Sequence, residues 1–324
     1  MTQQPRATSA PPPGDPITVA LALDANYLPW AATVVRSCLL ADPAQVLRVH
    51  ILHDGSILPD DRSRLASMVG EGPSTVEFSG VDPGRLSALP ANADFGTIVW
   101  LRLLLPELLP ETSRVLYLDS DIFVAAPLRP LWETPMGEAP LAAVANVVEP
   151  AVRDHIASLG VDYPGGYFNS GVLLLDLDRM RAEGATDTLF RFARERREPL
   201  RWQDQDALNA VFARRWLPLH PRWNAQNSFW VWRDWSLEVF DPAALAEATT
   251  DPGIRHFEGP NAAKPWHYLC TAPGHREFQA ALAATPWAGT PLIDRTAATR
   301  MIRALPGTVR RPAYQGLLAW RARR

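Results

Sequence analysis

Residues 114–121 read RVLYLDSD, and the fold turns on this stretch. Val115 to Leu118 form a mostly apolar run of the kind that is buried in a covered sheet. Asp119 and Asp121 stand where that strand runs out. In an extended segment a spacing of two puts both side chains on one face. Two carboxylates on one face repel each other unless positive charge lies between them. A hard divalent cation carrying a diphosphate meets that demand. The region beyond the carboxyl ends of the strands is also where α/β sheets bind ligands. The simpler alternative is a turn in which each Asp caps backbone N–H groups, and the rest of the chain has to separate the two.

Upstream, residues 17–23 (ITVALAL) read as the first strand, closed by Asp24-Ala25-Asn26-Tyr27. Polar groups at that exit suit a nucleoside base and ribose, and they equally suit a helix cap. Residues 28–40 follow as a helix with Pro29 in its first turn. A strand is expected at 47–52, a helix at 60–69, a strand at 75–79, and a helix over 97–109 that lasts until Pro106 and carries Arg102 on an apolar face. This β-α-β-α alternation predicts an α/β fold with a mostly parallel central sheet flanked by helices. Downstream, strands are expected at 141–146, 172–176 and 254–257. Helices are expected at 151–159, at 186–197 (exposed and charged) and at 204–212. Residues 165–171 read as a turn-rich approach to their strand.

The 324 residues suffice for one large α/β domain, and their net charge of −3 gives no case for nucleic acid as a partner. Charge is uneven: residues 300–324 hold seven arginines and no acid. This basic tail, 291–324, could lie on an anionic membrane surface, or it could be a solvated terminus or a subunit contact. Residues 1–16 read as a disordered leader without the apolar core of a signal peptide. No stretch approaches the roughly 18 apolar residues of a membrane span. The two cysteines, Cys38 and Cys270, read as buried small hydrophobes in a reducing compartment. A cytoplasmic protein is expected, with peripheral contact to the inner membrane face as the variant the tail allows. Lys264 is the only lysine among 32 basic residues, which hints at a task that guanidinium cannot perform.

Five polar clusters stand at the ends of apolar segments: 24–27, 119–121, 168–171, 203–206 and 256–264. No glycine-rich loop of Walker or dinucleotide type is present, so phosphate must be held by metal and cations. LALDANY, the helix bearing Arg102 before VLYLDSDIFV, YFNSGVLLLDLDRMR, WQDQDALNAVF, LPLHPRWN and HFEGP…KPWH follow one another in the order of a known family. Over residues 17–266 the chain resembles glycosyltransferase family 8.

The resemblance implies a GT-A type fold over 17–290 and a retaining transfer of a hexose from a UDP-sugar to a hydroxyl acceptor, a glycan, a lipopolysaccharide or a small molecule. It places Asp24, Asn26 and Tyr27 near uracil and ribose, Arg102 at the donor sugar or diphosphate, and Ser120 near the ribose. It gives Asp119, Asp121 and His256 to Mn2+, with Mg2+ as the alternative. Gly259 and Lys264 would hold the diphosphate as the site closes. Asn169, Asp204 and Gln205 would face the anomeric carbon and the sugar hydroxyls. Retention by a nucleophile at Asp204 or Gln205 competes with attack on the face the leaving group vacates. Gln is a poor nucleophile, which favours the second route. One departure stands out. The usual spacing puts two residues between HxxG and Lys-Pro-Trp, whereas Pro260-Asn261-Ala262-Ala263 makes four.

The tryptophans Trp223, Trp230, Trp232 and Trp235 could line an acceptor groove or pack the core, and His53 and His155 are given no role. Two rivals remain. A non-catalytic sugar-nucleotide or glycan-binding protein on the same fold is compatible with the longer loop. A phosphatase of the haloacid dehalogenase type shares the Asp-x-Asp, but Phe123 and the lack of a later Gly-Asp-x-x-x-Asp argue against it.

Overall fold

The computed structural model of the chain describes residues 14–91, 96–196 and 199–322. Residues 1–13 of the expected leader lie outside them. Strands β1 (Ile17–Leu23), β2 (Leu47–His53), β3 (Thr75–Gly80) and β4 (Arg114–Leu118) lie in the order β3-β2-β1-β4, all parallel. β5 (Ile122–Val124) leaves this sheet. β6 (Leu141–Ala145), β7 (Phe168–Asp176) and β8 (Leu217–Pro218) complete it in the order β3-β2-β1-β4-β7-β6-β8. β7 runs antiparallel to both its neighbours, and β8 is parallel to β6. β9 (Ile254–His256) pairs antiparallel with β5 in a separate two-stranded ribbon. The mostly parallel central sheet is the one the alternating pattern predicted.

Strand alternation divides the core between the two faces of the sheet. Leu116 and Leu118 pack with Val19, Leu21, Val172 and Leu174. Val115 and Tyr117 pack with Ala20, Ala143, Leu173 and Leu175. Each fully buried leucine here contributes about 1.5–3 kcal/mol. The helix Leu28–Ala41 covers the first face with Ala31, Val34, Val35 and Cys38, while the helices Ala185–Glu195 and Gln203–Val211 contribute to the second.

Several elements differ from expectation. β7 begins at Phe168, so the polar FNSG is strand rather than approach. Its polar groups are matched by side chains of other elements, which allows them to be buried: the Phe168 and Ser170 N–H groups donate to Asn209 and Gln205, and Asn169 Oδ1 accepts from Asn224. The segment expected as one helix over 97–109 is a 3-10 helix, Ile98–Leu104, followed by a short α-helix, Leu105–Leu108. Pro106 sits in the first turn of the latter, where no N–H is needed. The helix expected at 186–197 is not an exposed one, because Leu189, Phe190 and Ala193 are buried. Its last expected residue lies outside the described residues. Asp119-Ser120-Asp121 is a turn between β4 and β5 and not an extended segment. The two cysteines are buried and unpaired. Among the described residues no helix is long and apolar enough to cross a membrane.

The basic tail is folded. Its helices Ala297–Ala304 and Gly307–Arg321 pack on each other and reach back to the segment after Lys264. The tryptophans of 223–235 are half-buried against the first face of the core.

Candidate active site

Two antiparallel pairings create the site. β7 runs opposite to β4, so its polar beginning meets the exit of β4, and the Asp119 N–H donates to the Gly171 carbonyl at 2.8 Å. β9 runs opposite to β5 with Ile122 facing His256, and the Phe257 N–H donates to the Asp121 carbonyl at 2.9 Å. Residues far apart in sequence thus converge on one turn. Asp119, Asp121 and His256 each offer a ligand atom, and those atoms all lie within 4.8 Å of one another.

Asp119 is held from one side. Its Oδ1 accepts from the Tyr117 hydroxyl and pairs with the Arg102 guanidinium, both at 2.9 Å. Arg102 is buried and saturated. Nη1 donates to the Ser170 carbonyl at 2.8 Å, Nε pairs with Asp204 at 3.1 Å, and the guanidinium lies 4.3 Å above the Tyr117 ring. Burial works against its charge, but Asp119 and Asp204 outweigh that and raise its pKa. Asp204 is itself pushed up to about 6, by burial first, against the pull of Arg102.

Asp121 is held from the other side. The Lys264 ammonium lies on its Oδ2, and His256 Nε2 is 3.3 Å from its Oδ1. Burial raises the Asp121 pKa, yet Lys264 and His256 together bring it well below the carboxylate range. Lys264 stays charged because Asp121 outweighs its desolvation. The longer loop does not displace it. Residues Asn261–Ala263 coil into a 3-10 turn after Gly259, whose φ of 99° favours glycine, and Lys264 still arrives at Asp121. Ser120 is buried between the two aspartates.

The cluster fits a divalent cation on two counts. Two carboxylates and an imidazole form an O,O,N donor set suited to a metal of intermediate softness. Gly171 leaves the space: a Cβ there would stand 2.3 Å from His256 Cε1 and 2.9 Å from Asp119 Oδ2. The imidazole is also oriented from behind. His256 Nδ1 bonds Asn224 Oδ1 at 2.9 Å, which leaves Nε2 toward the carboxylates.

The other expected residues are placed as follows. Asn169 is buried, and its Oδ1 accepts from Asn224 Nδ2 at 2.9 Å and from the Gly171 N–H at 3.0 Å. Its Nδ2 donates to Asn146 Oδ1 at 3.3 Å, so both ends of its amide are engaged. Gln205 accepts from the Ser170 N–H and donates to the Tyr167 hydroxyl, both at 3.0 Å. Asp204 is not a helix cap, since Trp202 occupies that position. Asp24 does cap: it accepts from the Asn26 and Tyr27 N–H groups at 2.9 and 3.2 Å. Asn26 and Tyr27 stay exposed beside it. Tyr27 is joined to the Lys264 loop through Trp266, edge-on at 5.9 Å, while Trp266 stacks on Trp30 at 4.8 Å.

The sequence model described as "Glycosyl transferase family 8" matches residues 18–270. The chain belongs to this family. General stress protein A of Bacillus subtilis (strain 168) is 28% identical over 230 residues, covering 70% of this chain and 78% of its own. The lipopolysaccharide 1,3-galactosyltransferase of Salmonella typhimurium (strain LT2) is 24% identical over 258 residues, covering 78% and 74%. The crystal structure of an active-site mutant of LgtC superposes with a TM-score of 0.76 at 25% identity, over 91% of this chain and 99% of that one. The galactosyltransferase LgtC in complex with donor and acceptor sugar analogues gives a TM-score of 0.72 over the same shares. The chain is therefore a family 8 glycosyltransferase with a GT-A fold.

Four supports of this family 8 site, Tyr117, Ser170, Gly171 and Asn224, carry little local signal of their roles. Tyr117 hides in the apolar run of β4, and its polar tip at the strand exit was the available signal. Ser170 and Gly171 lie inside a quoted cluster, but nothing local says that a side chain at 171 would strike His256. Asn224 ends the LPLHPRWN landmark, 32 residues before the histidine that it orients.

Proposed function

We propose that the chain moves a hexose from a UDP-sugar to a hydroxyl of a glycan or small acceptor, with retention of anomeric configuration and dependence on Mn2+ or, failing that, Mg2+. The observation that carries this reading is the convergence of Asp119, Asp121 and His256 between two cations, Arg102 and Lys264. Asp119, Asp121 and His256 would hold the metal, with Asn224 fixing the imidazole. Bound there, the ion supplies Lewis-acid charge that neutralises the departing diphosphate.

The chain's own groups do the rest. Lys264 transfers its ammonium from Asp121 to the diphosphate as donor binds, and the turn at Gly259 carries it there. Arg102 and Ser120 meet the donor from the β4 side. Asp24, Asn26 and Tyr27 receive the uracil and ribose. Asp204, Gln205 and Asn169 line the sugar side of the pocket. Both ends of the Gln205 amide are engaged and the Asp204 carboxylate is paired with Arg102, so neither is a ready nucleophile. Retention then follows from same-face attack. The acceptor oxygen bonds to the anomeric carbon as the bond from that carbon to the phosphate oxygen breaks, the acceptor proton passes to that phosphate oxygen, and UDP leaves. Asp204 stabilises the positive charge that builds on the sugar.

Incubating the enzyme with a panel of UDP-sugars tests the donor class. Slow release of UDP from one or two of them, only with Mn2+ or Mg2+ present, is expected. Release of phosphate from simple monoesters, or no turnover of any UDP-sugar, overturns the proposal. Contact of the basic tail with an anionic membrane is a separate proposal. Flotation with anionic liposomes that is unaffected by changing Arg300, Arg310 and Arg311 to Gln contradicts it.

A further inference from the structure

The segment that carries Lys264 is fastened from outside by a part of the chain beyond the family match. His267 is buried, and its Nδ1 accepts from the Leu269 N–H at 3.1 Å. Nε2 therefore carries the proton in the neutral ring and donates to the Tyr314 hydroxyl at 2.9 Å. Tyr314 in turn donates to Asp294 Oδ2 at 3.1 Å, and Arg321 grips Asp294 through both carboxylate oxygens at 3.0 Å each. Main-chain bonds run alongside. The Ile293 N–H donates to the Trp266 carbonyl and the Tyr268 N–H to the Ile293 carbonyl, both at 2.9 Å. Arg303 donates to the Tyr268 carbonyl at 2.9 Å and lies over its ring. On its inner side the same segment presents Trp266 to Tyr27 and Trp30, and Lys264 to Asp121.

We propose that residues 293–321 form a clamp that positions residues 264–268, so that Asp294, Tyr314 and Arg321 are positioning residues for donor binding. The family match ends at residue 270, so the clamp lies outside the matched residues. Three features carry the inference. The chain Leu269–His267–Tyr314–Asp294–Arg321 is continuous and mostly out of solvent, so that breaking one link strands its neighbours. It converges on a two-bond bridge that fixes the backbone two to four residues after Lys264. The inner face of that stretch meets both the exposed Tyr27 and the acidic turn. The helix His275–Ala283 also holds the stretch, through Gln279 on the Pro265 carbonyl at 2.6 Å. The clamp therefore sets the position of a segment that stays attached without it. Its effect on donor binding rests on the reading that Lys264 meets the diphosphate.

The test uses the full chain with Asp294→Asn and, separately, Tyr314→Phe. Asn tolerates the φ of 56° at position 294, and the Phe variant removes only a hydroxyl, so neither substitution attacks the fold. Hydrogen exchange of the apo protein is read first. The Tyr268 and Leu269 amides should exchange about tenfold faster in both variants, with the β2 amides unchanged. Titration of UDP with Mn2+ follows. The dissociation constant should rise about fivefold or more at unchanged stoichiometry, whereas a merely unfolded fraction lowers stoichiometry and leaves the constant alone. In a Lys264→Ala background, Asp294→Asn should add no further weakening. Unchanged exchange at 268–269 in both variants overturns the clamp. Additive effects of Lys264→Ala and Asp294→Asn overturn its link to Lys264. Failure of the unaltered protein to bind UDP sinks the donor reading, and the exchange result still decides the clamp.

Discussion

Two cations face the acidic turn, and they are held in opposite ways. Arg102 comes from an interior 3-10 helix and is 6% exposed. It bonds two carboxylates, two carbonyls and an aromatic face. Lys264 ends a surface loop, is 24% exposed, and has one carboxylate partner. Arg102 cannot leave without abandoning the buried Asp204 carboxylate and the half-buried Asp119. On the proposed function Lys264 exchanges one anion for another, an incoming diphosphate replacing what Asp121 gives it. Guanidinium serves the fixed role through its fork of donors, and a flexible ammonium serves the moving one. The lone lysine in an arginine-rich chain stands at the position the proposal requires to move.

This contrast breaks most readily at Arg102. Arg102→Ala leaves Asp119 and Asp204 without their shared cation, and a loss of about 3–5 kcal/mol is expected in denaturant unfolding. A stability equal to that of the unaltered protein would make Arg102 dispensable to the fold. Lys264→Ala should weigh on turnover more than on the fold. Unfolding free energy should fall by less than in Arg102→Ala, since Lys264 leaves one carboxylate rather than two and His256 stays beside it, while the turnover number in sugar transfer falls about 10²–10³-fold through loss of charge stabilisation at the leaving group. A large loss of stability with turnover preserved would invert the assignment. A smaller effect sharpens the picture on the His256 side. Asn224→Ala frees the imidazole, and Mn2+ affinity measured by titration should drop about 10–100-fold. Unchanged affinity would show that Asn224 merely fills space.

The sequence was most informative where chemistry and periodicity coincide. RVLYLDSD ends a real strand, and Lys264 and His256 do arrive at Asp121 from more than 130 residues away. The flanking elements were legible because buried strands alternate with helices, so apolar runs alone mark them. Polar residues inside a strand were not. FNSG looks like loop until its partners are known, and those partners, Gln205, Asn209 and Asn224, lie on other elements. Asn169 shows the same limit. Its carbonyl oxygen braces Asn224 and the Gly171 amide, and no local pattern announces either partner. The packing of the tail was illegible for another reason. Seven arginines suggest solvent or membrane, but Arg303 and Arg321 turn inward to bond a carbonyl and Asp294, and no local pattern announces acceptors at such distances.

The central claim is that the acidic turn and His256 hold a cation that in turn holds the nucleotide. Isothermal titration of UDP with and without Mn2+, on the unaltered chain and on the Asp119→Ala, Asp121→Ala double variant, addresses it directly. Expected is a tightening of about tenfold or more on adding Mn2+ to the unaltered chain, absent from the double variant. Equal UDP affinity in all four titrations would contradict the claim.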